Sequence, residues 1–130
     1  MRFVIIVSHG EFAYGMHSAI RMMTGNRDEV ISLGLLDNMT ADQFYDELKE
    51  KLKSVKKEDE VIVLADIEGG SPYVNAIRVL QEKKMKTSSL VVAGANLPVA
   101  LRTVLTKDVA LKDLKDILNR EGILNYQYIA

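Results

Sequence analysis

The chain contains few side chains suited to covalent chemistry: it has no cysteine and only two histidines. One of them, His9, closes the apolar run Phe3-Val4-Ile5-Ile6-Val7-Ser8-His9 and is followed by Gly10. Asp66 opens the stretch Asp66-Ile67-Glu68-Gly69-Gly70-Ser71-Pro72, directly after the apolar run Val61–Ala65. A neutral imidazole is a nucleophile that titrates near neutrality, with an ordinary pKa of about 6.5. A carboxylate that accepts the proton-bearing ring nitrogen fixes the tautomer and presents the lone pair of the other nitrogen. Such a nitrogen can take a phosphoryl group, which then needs hydrogen-bond donors. Gly69, Gly70 and Ser71 open an expected helix, so their amides can face that group, and the positive end of the helix dipole favours its charge. Gly10, at the amino end of the first expected helix, joins this candidate phosphate-binding set. The Ser71 hydroxyl is a further donor, although an N-cap role for Ser71 would compete.

These residues need a scaffold that gathers them. Four short, nearly continuous apolar runs, Phe3–Val7, Val30–Leu36, Val61–Ala65 and Leu90–Ala93, suit strands covered on both faces in a parallel sheet. Helical patterns separate them. Phe12, Met16, Ala19, Ile20 and Met23 fall at helical spacing, with a stop near Gly25-Asn26. Thr40 and Gln43 form a capping-box pattern ahead of the stripe Phe44, Leu48, Leu52 and Val55. Ser71 reads as an N-cap and Pro72 as the first residue of a helix that buries Ala76, Ile77 and Leu80. Pro98 reads as another helix start, leading through Val99, Leu101, Val104 and Leu105. Leu111, Leu114, Ile117 and Leu118 mark a last helix that Gly122 should end, and Ile123–Ile129 alternates loosely like a shorter final strand.

The order is therefore β-α-β-α-β-α-β-α-α-β, an α/β three-layer sandwich built of right-handed parallel crossovers and read as one domain over residues 1–130. All the unusual residues, including Asp37-Asn38 and Gly94-Ala95-Asn96-Leu97-Pro98, follow strands. They should share the carboxyl edge of the sheet, where open α/β sheets place their sites. With strand order 2-1-3-4 the topological switch point lies between strands one and three, flanked by His9 and Asp66.

Composition narrows the function. A hydrophobic share of 48% against 27% charged is that of a globular domain rather than a disordered one. A net charge of −1 without a long basic run argues against nucleic acid as a partner. The five-residue apolar run at the N-terminus is too short for a membrane span of about 20 residues, and it lacks the length and cleavage site of a signal peptide. The lack of cysteine is compatible with a reducing cytoplasm. No metal and no cofactor is expected.

The strand leading into Ser8-His9-Gly10, the stretch Asp66-Ile67-Glu68-Gly69-Gly70-Ser71-Pro72 and the stretch Gly94-Ala95-Asn96-Leu97-Pro98, in this order and spacing, resemble the IIA components of mannose-type sugar phosphotransferase systems. The resemblance runs over nearly the whole chain. It implies that His9 is the phosphorylated histidine and Asp66 its paired carboxylate. A histidine-containing phosphocarrier protein would load His9. A IIB component, expected here as a separate protein, would take the group for a sugar entering through membrane IIC and IID proteins. It also implies a homodimer in which the last strand pairs with the neighbouring subunit. Glu68 departs from the aromatic residue that some relatives carry, which bears on the pocket wall and the partner contact.

Plainer readings stand beside these. Asp66 can be a turn carboxylate, Gly69–Ser71 a turn and cap, and Asn96 a loop-shaping residue. His17 should be a surface or half-buried helix residue, and Met22, Met23 and Met39 core residues or, near the site, a soft contact surface. Three rival functions remain. A histidine-dependent phosphatase or mutase would need an arginine just before the histidine; here that position is Ser8, and Arg78 and Arg102 fall in expected helices. A flavodoxin-like or receiver-like binding module lacks support, since a receiver would carry acidic residues where this chain has Ser8-His9 after the first strand, and neither a Walker A run nor a dinucleotide glycine fingerprint is present. A phosphorylation-state regulatory module keeps the fold and the phosphohistidine but drops transport.

Overall fold

A computed structural model describes residues 1–129 of the chain. Its elements run β1 (Arg2–His9), α1 (Phe12–Thr24), β2 (Val30–Leu35), α2 (Ala41–Lys51), β3 (Glu60–Ala65), α3 (Ser71–Glu82), β4 (Ser89–Ala93), α4 (Leu97–Leu105) and α5 (Leu111–Glu121). The four strands form one parallel sheet in the order β2-β1-β3-β4.

The continuous apolar runs are explained by the pleat. Successive side chains of a strand point to opposite faces. Ile5 and Val7 of β1, with Val61, Val63 and Ala65 of β3, enter a core shared with α2 and α3. Val4 and Ile6, with Ile62 and Leu64, enter a second core shared with α1, α4 and α5. Both faces are covered, so both parities are mainly apolar, and the buried strand serines Ser8 and Ser32 each have a hydrogen-bond partner. Each fully buried Ile, Leu or Val contributes roughly 1.5–3 kcal/mol relative to exposure.

The capping box of α2 is formed as expected, Thr40 Oγ1 accepting from the Gln43 amide at 3.1 Å and Gln43 Oε1 from the Thr40 amide at 2.8 Å. Phe44, Leu48, Leu52 and Val55 are all buried. Elsewhere the helix faces depart from expectation. In α1 the buried set is Ala13, Met16 and Ile20, while Phe12 and Met23 stay exposed, as does Met22. Ala13, in the same turn as Phe12, is fully buried, so the helix end is covered: the buried stripe is turned toward Ala13, and Phe12 and Met23 lie to one side of it. Only Met39 of the three methionines packs against a core. The first residue of α3 is Ser71 and its N-cap is Gly70, whose backbone is extended; Ser71 therefore caps nothing and Pro72 is the second helical residue. Similarly α4 starts at Leu97 rather than Pro98, with Asn96 as N-cap accepting from the Val99 amide at 3.1 Å.

Residues 123–129 form no strand in this single chain, although a final strand was expected there. A strand needs a ladder partner, and this tail pairs with no strand of its own sheet. Its apolar residues Ile123, Leu124, Tyr126, Tyr128 and Ile129 are exposed.

Candidate functional site

The sheet order puts the ends of β1 and β3 side by side at the switch point, Val7 opposite Ala65. Two residues further along β1 and one further along β3 stand His9 and Asp66. Asp66 Oδ2 accepts twice from His9: from its backbone amide at 2.9 Å and from the ring at Nδ1, also at 2.9 Å. Asp66 Oδ1 accepts from the Ile67 amide at 2.9 Å. Burial pushes the Asp66 carboxyl up, but the backbone and ring hydrogen bonds of His9 and the amide of Ile67 outweigh it, and the net displacement is below the ordinary carboxylate value. An ionised carboxylate can only accept, so Nδ1 carries the proton and Nε2 of the neutral ring holds the lone pair. The His9 side chain is 47% exposed while that of Asp66 is 16% exposed: the nucleophile is reachable and its anchor is covered.

Nε2 looks toward the start of α3. A Cβ placed on Gly70 would lie 2.6 Å from His9 Cε1 and 3.2 Å from Nε2, so this position tolerates only glycine against an unmoved ring. Gly69, with φ of +83°, makes the turn that brings Gly70 there. Pro72 has no N–H, so the amide donors of this helix end come from Gly70, Ser71 and Tyr73. Because Gly70 is the N-cap, the Ser71 hydroxyl is released from capping.

Gly10 is placed differently from expectation. Its amide donates to the Leu35 carbonyl at 2.7 Å, which ties the turn to β2 and takes that donor away from the notch. Sequence reasoning quoted Ser8 within the Ser8-His9-Gly10 motif and as the position of a missing arginine, but gave its side chain no role. It is fully buried, and its hydroxyl accepts from the Ala13 amide at 2.7 Å, capping α1 from the preceding strand across the turn that holds His9. The signal was present in the sequence: a serine at the inward-facing end of an apolar strand, five residues before a helical amide. Glu68 is exposed beside the notch, and Asn96 is bound up in capping. His17 is half-buried in α1, its Nδ1 2.6 Å from Ser32 Oγ.

The phosphatase reading finds no cation here. Arg78 stacks 3.8 Å from the centre of the Tyr45 ring and pairs with Glu82, and Arg102 pairs with Glu121. Among the described residues no group of three or more His, Cys, Asp or Glu could hold a metal ion, and no helix is long and apolar enough to cross a membrane.

The fold and notch define a class: an open α/β domain with a carboxylate-anchored histidine at its switch point. Residues 3–120 match the family described as the PTS system fructose IIA component. The fructose-specific EIIA component of Bacillus subtilis is 30% identical over 125 residues, covering 95% of this chain and 84% of that protein. The crystal structure of phosphotransferase system component EIIA from Streptococcus agalactiae superimposes with a TM-score of 0.82 at 25% identity, covering 96% of this chain and 97% of that one. A IIA protein associated with the fucose utilization operon of Streptococcus pneumoniae gives 0.79 at 27% identity, covering 95% and 92%. The chain belongs to this family of phosphotransferase IIA components. It is a phosphoryl carrier of a sugar phosphotransferase system.

Proposed function

We propose that His9 carries the phosphoryl group, on Nε2. In loading, the lone pair of Nε2 attacks phosphorus of a phosphohistidine on the histidine-containing phosphocarrier protein. The bond from phosphorus to the donor's ring nitrogen breaks, and its electron pair returns to that nitrogen. The proton on Nδ1 stays against Asp66, which stabilises the positive charge the His9 ring acquires on phosphorylation. Amides of Gly69, Gly70 and Ser71 at the start of α3 face the phosphoryl oxygens, with the Ser71 hydroxyl as a further donor. Unloading reverses the step toward a IIB component, which serves a membrane IIC and IID permease. The observation that carries this reading is the 2.9 Å contact from Nδ1 to Asp66, which leaves Nε2 beside the N-terminus of α3.

The working form is a cytoplasmic homodimer. The exposed apolar tail 123–129 supports this, as does β4, the last strand of the sheet with one edge unpaired: a tail from a second subunit would find its ladder there. The deciding experiment is incubation with the phosphorylated phosphocarrier, followed by mass spectrometry that locates the phosphate. The expected outcome is one phosphoryl group on His9 and none on His17, with His9→Ala reduced to background. A phosphate on any other residue overturns the assignment.

A further inference from the structure

Glycine weakens the interior of a strand and marks places where another stretch of backbone comes close. Gly34 is such a glycine. It is buried in β2 and stands opposite Ser8 of β1 in the register of the sheet. A Cβ placed on Gly34 would lie 2.0 Å from the Gly10 carbonyl oxygen, 3.2 Å from the Gly10 carbonyl carbon and 3.1 Å from Cε2 of Tyr14. The overlap at 2.0 Å is with backbone, which no rotamer change relieves. The carbonyl of Gly10 therefore rests on the bare backbone of Gly34. The same turn is tied to β2 by the Gly10 amide on the Leu35 carbonyl at 2.7 Å, and Gly10 supplies the φ of +56° that folds it back.

Ser8 holds the turn from β1. Its hydroxyl accepts from the Ala13 amide at 2.7 Å, while Glu11, the N-cap of α1, makes no side-chain cap bond of its own. Alternation along the strands puts Ser8 on the same face as Val4 and Ile6, and Gly34 on that of Val30, all toward α1. Two neighbouring strand ends thus fix residues 9–13 between them. His9 is sensitive to this because Asp66 Oδ2 accepts from both its backbone amide and its ring, each at 2.9 Å. One acceptor serving both groups leaves the ring no separate anchor, so a shift of the His9 backbone disturbs both bonds together.

We infer that Gly34, with Ser8 opposite it, is a positioning residue for phosphoryl transfer: the glycine gives the His9-Gly10 turn its seat on β2 and so aims Nε2 at the start of α3. The inference rests on His9 as the phosphoryl site. Both residues act through the turn and not on the moving group.

The test is Gly34→Ala, followed by two readouts. One is the rate of labelling by phosphoramidate, a small donor whose phosphoryl group passes to Nε2 with release of ammonia. The other is the nitrogen NMR shifts of the neutral His9 ring. In the unaltered protein Nδ1 should resonate as a protonated nitrogen and Nε2 as an unprotonated one. In Gly34→Ala the turn must move by about 1 Å to relieve the overlap, and a misplacement of that size can cost up to about 10²-fold. Labelling should slow by roughly tenfold or more, and the two shifts should draw together as the tautomers mix. Ser8→Ala, which removes only the cap, should give the same signature with a smaller loss. A merely structural role would lower the melting temperature of either variant and leave rate and shifts alone. Unaltered rate and shifts in a folded Gly34→Ala overturn the inference, as does either change without the other. If that variant does not fold, Ser8→Ala decides on the same two readouts. Failure of the unaltered protein to label on His9 would instead overturn the phosphohistidine itself.

Discussion

The two ends of this sheet use charge in opposite ways. At the amino end several charged groups are tied to one another, while others such as Lys57, Glu58 and Lys86 stay exposed. The N-terminal ammonium pairs with Asp59 at 3.1 Å, Arg2 pairs with Glu60 at 2.9 Å, and Glu29 takes both Arg27 and Lys107. Apart from Arg27 with Glu29, these contacts join segments far apart in sequence and close the bottom of the sandwich. Among the described residues, the one close pairing at the carboxyl end is internal to the notch, His9 with Asp66, and the surrounding acids are left to solvent. A parallel sheet makes this division of labour possible, because every crossover turn of one kind lies at one edge and every turn of the other kind lies at the opposite edge. Charge that is satisfied within the chain holds the fold; charge that is not is available to another molecule.

The contrast can be broken first at the carboxyl end. Asp66→Asn keeps the shape but lets the amide offer its NH2 or its carbonyl, so the tautomer of His9 is no longer dictated. Phosphoryl acceptance should fall by roughly 10²-fold or more, with an unchanged far-ultraviolet circular dichroism spectrum. Full activity in that variant would leave the carboxylate with a structural role alone. The acid limb should change too. Asp66 has its folded pKa below the unfolded value near 3.9, so its stabilisation is complete above that value and is lost as pH falls through the folded pKa. Asp66→Asn should flatten that limb in pH-dependent melting. Gly70→Ala ranks next. Its Cβ would press within 2.6 Å of His9 Cε1, so the ring must tilt away from Asp66 or from the α3 amides. A displacement approaching 1 Å at a reacting atom can cost up to about 10²-fold; roughly tenfold is expected in the labelling rate. Gly15→Ala, where an added Cβ meets nothing within 4 Å, should leave the rate intact.

How much of this was legible beforehand follows from which interactions are local in sequence. The strands were legible because a doubly covered strand must be apolar on both parities, and Pro98 marks the comparable run Leu97–Leu101 as a helix start instead; the order 2-1-3-4 was assumed beforehand and agrees with the sheet. The pairing of His9 with Asp66 was legible because topology, rather than side-chain detail, brings two strand ends together. What failed was geometry at the level of single peptide groups. Ser71 and Gly70 both satisfy the requirements of an N-cap, and only the extended backbone of Gly70 decides between them. The amide of Gly10 could have faced the notch or β2; Leu35, two strands' worth of sequence away, claims it. The tail 123–129 has the alternation of a strand, but alternation names a face and supplies no partner, so a single chain leaves it unpaired.

The amino end supplies the converse test. The Arg2 side chain is 8% exposed and donates to Glu60 and to the carbonyls of Thr106 and Val109, binding β1, β3 and the α4–α5 turn together. Arg2→Ala leaves Glu60 and two carbonyls without this donor. Hydrogen bonds to charged groups are worth about 1.5–3 kcal/mol each, and water will recover part, so a loss of roughly 2 kcal/mol in urea unfolding is expected. The phosphoryl transfer rate under native conditions should not move. A variant that unfolds no more easily yet transfers more slowly would contradict the separation of the two ends.

The finest distinction lies between the two histidines. His9 is open and anchored to a carboxylate. His17 is half-buried against Ser32 Oγ, and burial, then the charges of Arg21 and Lys51, lower its pKa below 6.5. The sign follows from which state binds protons more readily. Between the folded pKa and 6.5 the unfolded chain takes a proton at His17 that the folded chain refuses, so stability is highest above 6.5 and declines as pH falls through that window. His17→Gln retains a group that can bond Ser32 but cannot titrate. Its melting temperature should therefore lose that part of the pH dependence while its labelling rate matches the unaltered protein at every pH. If the pH dependence of stability is unchanged in His17→Gln, the proton linkage belongs elsewhere; if the labelling profile shifts, the helix face carrying His17 is coupled to the notch across the buried cap formed by Ser8.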